Sequence, residues 1–421
     1  MLKVLYNFLI ILFYFPYCTI IFFRRFFNKE HKIKFKEKIL IKEIRRPEGF
    51  LFWFHAASIG ELNTIFPLVD FFLKQNTKYK FLITTVTLSS FYEFEKKYGN
   101  NNRTFHQFLP YDSKFLVENF FKNWEPDLIS FVDSEIWPNF FLKIKSKNLP
   151  FVLLNARLTE KTFKRWKIIK NFATNLFSSV TTAISSNKET VNYLNYFNTK
   201  NIKYFGNIKF CSSLNYKNQD DRQLTLVSKN KVWCAISTHP DEEIFCAKVH
   251  QILKKTYTNL VTIIIPRHIY RTKKIFLDLK KMGLSVQIKN ENQNIDSSSE
   301  IILVNYYGSV TKYLSKFKQI FIGKSLLKKL KNDSGQNPID AAKMGCHIFH
   351  GPYVSNFKEI YDYLETENIS EKIDNYNILA EKLVKNFKLG SEVNEHKRDR
   401  FNSYSSEILK KTIKEYEIFI K

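Results

Sequence analysis

Among the residues able to do chemistry, Glu61 comes first, three positions after Ser58 in the block His55-Ala56-Ala57-Ser58-Ile59-Gly60-Glu61. The block follows the apolar run Phe50-Leu51-Phe52-Trp53 and leads into residues of helical period: Leu62, Ile65, Phe66, Val69 and Phe72. It therefore reads as a strand turning directly into a helix, at the sheet edge where open α/β folds bind ligands. Two readings of Glu61 stand on these residues alone. It is a general base in a ligand crevice, or it is half of a capping box in which Ser58 caps an amide and the glutamate reaches back. Capping boxes are common and catalytic carboxylates rare, so the block by itself favours the cap.

Other polar residues collect where apolar runs end. Asp133, Glu135 and Trp137-Pro138-Asn139 follow Leu128–Val132, and Asn155-Ala156-Arg157 follows Phe151–Leu154. Gly206-Asn207-Ile208-Lys209 follows Ile202–Phe205, Ser237-Thr238-His239 follows Val232–Ile236, and Arg267-His268 follows Leu260–Ile265. All of these are expected to project into one cleft. Thr238 is placed to cap a helix beginning near Asp241, which would leave an amide cluster beside His239 as a seat for phosphate. From that segment alone, an ordinary capped helix with a solvated acidic first turn is the favoured reading. Arg267 offers a planar fork for phosphate or carboxylate. Gly323-Lys324-Ser325 ends a further run, and Ser334-Gly335-Gln336-Asn337-Pro338 opens a helix, again favouring an anionic group. Neither a P-loop nor a G-x-G-x-x-G fingerprint is present, so ATP hydrolysis and NAD binding fit poorly.

The elements that position these residues follow from the alternation of short apolar runs with helical stretches. The first series is Phe50–Phe54, Phe81–Val86, Phe105–Leu109, Leu128–Val132, Phe151–Leu154 and Thr181–Ile184. The second is Val232–Ile236, Leu260–Ile265, Ile301–Val304, Gln319–Ile322 and His347–Phe349. Strands spaced this way by helices predict two parallel sheets, hence two Rossmann-like domains facing each other across a cleft. Pro67 should bend or loosen the helix that follows Glu61. The boundaries expected are 1–27 for an N-terminal anchor, 28–205 and 206–375 for the two domains, and 376–421 for closing helices.

Residues 4–23 are almost uninterruptedly apolar, and Arg24, Arg25, Lys29 and Lys32 follow at once. That pattern predicts a single membrane-anchoring helix with the rest of the chain in the cytosol; a helix lying in the interface is the other option. With 66 Lys+Arg against 40 Asp+Glu, the net charge of +26 points to an acidic partner such as an anionic membrane surface or a phosphorylated substrate, though a Lys-rich genome would give the same excess. No RNP-type aromatic motif accompanies the charge, and no nucleic acid partner is expected. Five separated cysteines without a C-x-x-C spacing suggest neither a disulfide framework nor a zinc site, and no metal is expected.

Taken together, nine collinear blocks resemble the Kdo (3-deoxy-D-manno-octulosonic acid) transferases of lipopolysaccharide synthesis. They are HAASIGE (55–61), LPYD (109–112), DSEIWPN (133–139), NARLTEKTF (155–163), GNIKF (206–210), STHPDEE (237–243), PRH (266–268), GQNPIDAA (335–342) and GPYVSNFKEI (351–360). The resemblance implies a glycosyltransferase B architecture and inverting transfer of Kdo from CMP-Kdo to a lipid A precursor at the cytoplasmic face of the inner membrane. It implies Glu61 as base, with the cap now the lesser reading or a second job for the same residue. It places Ser58, Gly60, Glu135, Asn155, Arg157, Asn207 and Lys209 along the acceptor side of the cleft. It places Ser237, Thr238, His239, Arg267, His268, Ser325, Gln336 and Asn337 against CMP-Kdo, with no cofactor. Departures fall on the donor side. Asn305-Tyr306-Tyr307-Gly308-Ser309 stands where the family commonly has Asp-Thr-x-Gly-Glu, and Lys324 replaces a glycine. Two rivals remain at this stage: a transferase of the same architecture using another nucleotide sugar, and a non-catalytic, membrane-tethered basic binding protein.

Overall fold

The computed structural model describes residues 2–40, 45–212, 214, 222–331, 333–388 and 391–420. Residues 389–390 and 421 of the expected closing segment lie outside the described residues. The chain folds into two α/β units, one made of residues 1–213 with 405–421 and the other of residues 214–404. The first unit thus extends past the expected boundary at 205, because the 206–211 segment bonds to its sheet, and it regains the end of the chain.

In the first unit seven strands pair all in parallel: β1 (Phe50–His55), β2 (Tyr79–Thr85), β3 (Thr104–Phe108), β4 (Leu128–Val132), β5 (Phe151–Ala156), β6 (Thr182–Ser185) and β7 (Ile202–Tyr204). Their order is β3-β2-β1-β4-β5-β6-β7. The second sheet is also all parallel and holds β8 (Lys231–Thr238), β9 (Leu260–Pro266), β10 (Val286–Lys289), β11 (Ile301–Val304), β12 (Gln319–Ile322), β13 (His347–His350) and β14 (Ser370–Lys372). Its order is β10-β11-β9-β8-β12-β13-β14. Helices on both faces explain why the central strands are apolar runs without alternation: Leu51, Phe52, Trp53 and Phe54 are all fully buried. Trp53 packs against Phe120, Phe121, Phe131 and Phe140, and its Nε1–H donates to Thr84 Oγ1 at 2.9 Å, so its one polar atom is satisfied.

Both sheets have a topological switch point. From β1 the chain winds outward through β2 and β3, then returns to the other side of β1 at β4; from β8 it winds outward through β9, then returns at β12. At such points adjacent crossovers leave in opposite directions and open a crevice at the carboxyl ends of the strands.

The expected N-terminal anchor is a bent pair of helices and not one continuous helix. Residues 2–26 form two helices, α1 (Leu2–Leu12) and α2 (Tyr14–Phe26), bent by 43°. No single helix among the described residues is long and apolar enough to cross a membrane; only the bent pair together reaches that length and composition. The break has a cause in Pro16, whose ring clashes with the carbonyl four residues earlier and cannot sit in the middle of a continuous helix. One face of the pair docks on its own unit. Tyr6 Oη donates to Asp112 Oδ2 at 2.6 Å, Tyr111 Oη donates to Ile10 O at 3.1 Å, and Tyr17 stacks on Tyr111 at 4.5 Å. The other face leaves Val4, Phe8, Ile11 and Phe15 exposed.

Four further helices matter to the site: α3 (Ile59–Gln75), α4 (Leu88–Tyr98), α5 (Lys114–Trp124) and α6 (Pro138–Ser146). α3 runs without a break across Pro67. The last helix, Ser391–Glu417, ends within the first unit, where Tyr416 is fully buried and hydrogen-bonded to Ser130 at 2.8 Å.

Candidate active site

In the first unit the switch point gathers the polar groups. Ser58 is the N-cap of α3: its Oγ accepts from Glu61 N at 3.4 Å and donates to Glu61 Oε1 at 2.8 Å. Ala57 N donates to Glu61 Oε2 at 2.8 Å. The capping geometry is therefore real, with the carboxylate reaching back to the residue before the cap. It does not use Glu61 up, since a carboxylate has about four acceptor positions and two are filled. The side chain is half-buried. Burial and the neighbouring carboxylates of Asp133 and Glu135 push its pKa up, while bonds from Ser58 and Ala57 pull against them; the net shift is upward. A carboxyl raised toward neutrality is the form suited to general base work.

Across from α3, the end of β4 is held in a demanding backbone. Asp133 and Asn155 have φ of 56° and 55°, the left-handed region that asparagine and aspartate tolerate better than most residues. Their side chains join: Asn155 Nδ2 donates to Asp133 Oδ1 at 2.6 Å, and Lys209 Nζ pairs with Asp133 Oδ2. Asn155 Oδ1 in turn accepts from Ile208 N at 3.1 Å, while Asn207 Oδ1 accepts from Lys209 N at 3.0 Å. The Asn207–Lys209 segment is thereby fastened to the switch point, and the lysine charge is spent on Asp133. Glu135 takes Trp137 Nε1–H at 2.9 Å and faces His55 Nε2 at 3.4 Å. Burial alone would raise Glu135, but the His55 and Trp137 hydrogen bonds outweigh it and hold its carboxyl below the ordinary range. The Arg157 backbone N–H donates to Asp133 O at 3.2 Å. Gly60 lies exposed in the first turn of α3, where an added Cβ would meet nothing closer than Ser58 Oγ at 3.9 Å.

In the second unit the expected phosphate seat is different in kind. The helix after β8 spans Glu242–Lys254, and its N-cap is Asp241 at φ 78° without a side-chain cap. Thr238 does not cap it; its hydroxyl donates to Glu243 Oε1 at 2.9 Å. The amide cluster exists but is filled from within. Glu242 accepts from His239 N at 2.9 Å, Lys324 N at 2.7 Å, Ser325 N at 3.0 Å and Leu326 N at 3.1 Å. Glu243 is gripped by both nitrogens of Arg271 at 2.9 Å. The acidic first turn is therefore buried structure, because a helix amino end plus a cradle of amides stabilises an interior carboxylate. Gly323 permits the cradle: a Cβ there would lie 2.6 Å from Glu242 Oε2. Sequence reasoning missed Glu242, three of whose four partners lie 82 to 84 residues away.

Around this cradle, Ser237 and Lys324 hold φ of 54° and 59° at the ends of β8 and β12. Strain of this kind gathers at functional edges. Burial first, then the neighbouring His268 and the cations Lys324, Arg271 and Arg267, push His239 down to about 4, so its ring is neutral at physiological pH. His239 Nε2 is buried without a hydrogen-bond partner among the described residues, and the ring meets His268 edge-on at 5.5 Å. Arg267 is exposed. Ser325 is fully buried, its hydroxyl donating to Ile322 O at 2.6 Å and accepting from Gly351 N at 2.9 Å, so it shapes the turn. Asn337 spends its side-chain oxygen on Ile339 N at 3.0 Å, and the Gln336 carbonyl accepts from Tyr361 Oη at 3.0 Å.

Residues 29–212 match the sequence pattern of a family described as 3-deoxy-D-manno-octulosonic-acid transferase (kdotransferase). The chain is similar to the 3-deoxy-D-manno-octulosonic acid transferase of Rickettsia bellii (strain RML369-C), 32% identical over 358 residues, covering 85% of this chain and 84% of that one. The transferase of the same name from Haemophilus influenzae is 28% identical over 332 residues, covering 77% and 76%. Of solved structures, a glycosyltransferase from Rickettsia africae ESF-5 superposes with a TM-score of 0.56 at 14% identity, covering 89% of this chain and 100% of that one. A UDP-GlcNAc 2-epimerase from Neisseria meningitidis bound to UDP-GlcNAc gives 0.55 at 12% identity, covering 87% and 100%. At these identities the structures establish the shared fold alone.

Proposed function

The chain belongs to the 3-deoxy-D-manno-octulosonic acid transferase family and is a glycosyltransferase built of two Rossmann-like units. From that premise we propose that it moves Kdo from CMP-Kdo to a lipid A precursor, with inversion, at the cytoplasmic face of the inner membrane and with Glu61 as general base. The observation that carries this reading is a half-buried carboxylate at the switch point of the first unit, positioned by Ser58 and Ala57 and raised in pKa.

Glu61 takes the proton of an acceptor hydroxyl as that oxygen forms its bond to the anomeric carbon. The bond from that carbon to the phosphate oxygen of CMP breaks with its electron pair, and CMP leaves. The exposed Arg267 supplies positive charge for the departing phosphate, while Lys324 Nζ is held by Asp333 at 3.1 Å and His268 lies beside the His239 ring. Ser237 and Thr238 shape that edge, as Ser325, Gln336 and Asn337 shape the neighbouring turns. Glu135, Asn155, Asn207 and Lys209 keep the acceptor side in register through Asp133 and His55, and the Arg157 guanidinium, without a hydrogen-bond partner among the described residues, is available to an acceptor phosphate. The bent α1–α2 pair, with one apolar face exposed, supports attachment in the membrane interface more than a single span.

Glu61→Gln tests the assignment. Transfer from CMP-Kdo is expected to fall by at least three orders of magnitude while CMP-Kdo binding persists; full activity overturns the base role. The altered segment Asn305–Ser309 favours one second reading, a different nucleotide-sugar donor. A donor screen with CMP-Kdo, UDP-sugars and GDP-sugars separates the two.

A further inference from the structure

The seam between α1 and its unit holds a half-open cavity of about 180 Å³, room for a phosphate group with a few waters. Lys3 and Asn7 come to it from α1, Lys114 and Glu118 from α5, and Asn139 and Lys143 from α6. The charges do not cancel. Glu118 is paired with Lys143 at 3.5 Å, whereas Lys3 and Lys114 have no ion-pair partner among the described residues. Asn7 Oδ1 is buried there without a hydrogen-bond partner among the described residues. Turning that amide by 180° presents its NH2 group instead, so the side chain can donate to an anion or accept from a headgroup hydroxyl.

The location decides between a soluble anion and a lipid. Lys3 and Asn7 lie one turn apart on α1, beside the face that docks through Tyr6 and Ile10. Residues on the opposite side, Val4, Phe8 and Ile11, are 72%, 61% and 72% exposed. Apolar side chains in the acyl layer put an adjoining basic pocket at the depth of lipid phosphates. We propose that this cavity is a phosphate-binding pocket for an anionic lipid headgroup, separate from the Glu61 site, which seats the enzyme on the membrane at a fixed height. The proposal rests on the membrane attachment put forward above.

The test uses the full chain, sedimented with phosphatidylcholine vesicles with and without phosphatidylglycerol. Phosphatidylglycerol is expected to tighten binding, and the double variant Lys3→Ala/Lys114→Ala to lose about 25-fold of that gain, about 5-fold for each lysine. A control pair on exposed positions of the same unit, Lys96→Ala/Lys161→Ala, is expected to stay within about 2-fold. Equal losses in the two pairs, or a full phosphatidylglycerol response in Lys3→Ala/Lys114→Ala, overturn the pocket. Saturable calorimetric binding of inorganic phosphate by the free protein, with no phosphatidylglycerol response, overturns the lipid as ligand. A wild-type chain that binds phosphatidylcholine without responding to phosphatidylglycerol refutes the pocket alone; a chain that binds neither vesicle refutes membrane attachment and the pocket with it.

Discussion

Replacing Glu242 by Gln tests whether a buried side chain, and not a ligand, closes the amide cradle of the second unit. The four donors divide two and two, His239 N and Lys324 N on Oε2 and Ser325 N and Leu326 N on Oε1. Glutamine keeps the shape but only one acceptor oxygen, so in either flip its NH2 group confronts two N–H donors. Hydrogen bonds to a charged group contribute about 1.5–3 kcal/mol each, and a buried donor left without an acceptor costs about 1–3 kcal/mol. Removing a buried charge offsets part of that, and a net loss of about 2 kcal/mol in local stability is expected. In a chain of two units a single unfolding curve does not isolate one cradle, so the assay is native-state hydrogen exchange at residues 239 and 324–326. Exchange there should speed up about 30-fold in Glu242→Gln, from about 1.4 kcal/mol per factor of ten, and further in Glu242→Ala, where all four donors lose their partner. Unchanged exchange at those amides in Glu242→Gln would refute the reasoning.

Ser58→Ala removes a hydrogen bond that pulls the Glu61 carboxyl down, so the acid limb of kcat/KM should move to higher pH, with about 1 kcal/mol of helix capping lost; a limb that moves to lower pH contradicts the geometry. Asp112 is buried and pushed up to about 7 by that burial, well above its unfolded range near 4. Its folded form holds a proton the unfolded form releases, so stability of the first unit should fall by about 1.4 kcal/mol per pH unit as pH rises from about 4 to 7. Asp112→Asn should flatten that slope in native-state hydrogen exchange of the first sheet. Tyr416→Ala should destabilise the first unit by about 3–5 kcal/mol although it lies near the chain's end, and Tyr416→Phe, which loses only the Ser130 bond, by about 1 kcal/mol, both read by hydrogen exchange of the same strands.

The central strands were legible because a strand buried on both faces is an apolar run, as in Phe50–His55 and Leu260–Pro266. β10 and β14 were not, since Val-Gln-Ile-Lys and Ser-Glu-Lys lie at sheet edges where burial no longer dictates residue type. Both the cap and the placement of Glu61 were readable, because Ser58 and Glu61 act over three residues. The Glu242 cradle was not, because its donors arrive from the turn after β12 and an acidic first helical turn looks the same whether solvated or buried. The break at Phe13 escaped for another reason: Pro16 is tolerated in the first turn of a new helix, so its effect on the preceding helix has to be inferred one turn upstream.

Tyr416 also sets an order of events. Its ring covers Phe54 of β1 and Phe72 of α3, at 6.0 and 6.1 Å, and it comes from a segment translated after the whole of residues 214–404. At ribosomal rates of about 5–20 residues per second, β1 and α3 wait roughly 10–40 s with these two aromatic rings uncovered. Until synthesis ends, that patch lacks the cover the finished chain gives it. Messenger RNA cleaved before the final codons would yield a polypeptide with both parallel sheets encoded and only one of them finished.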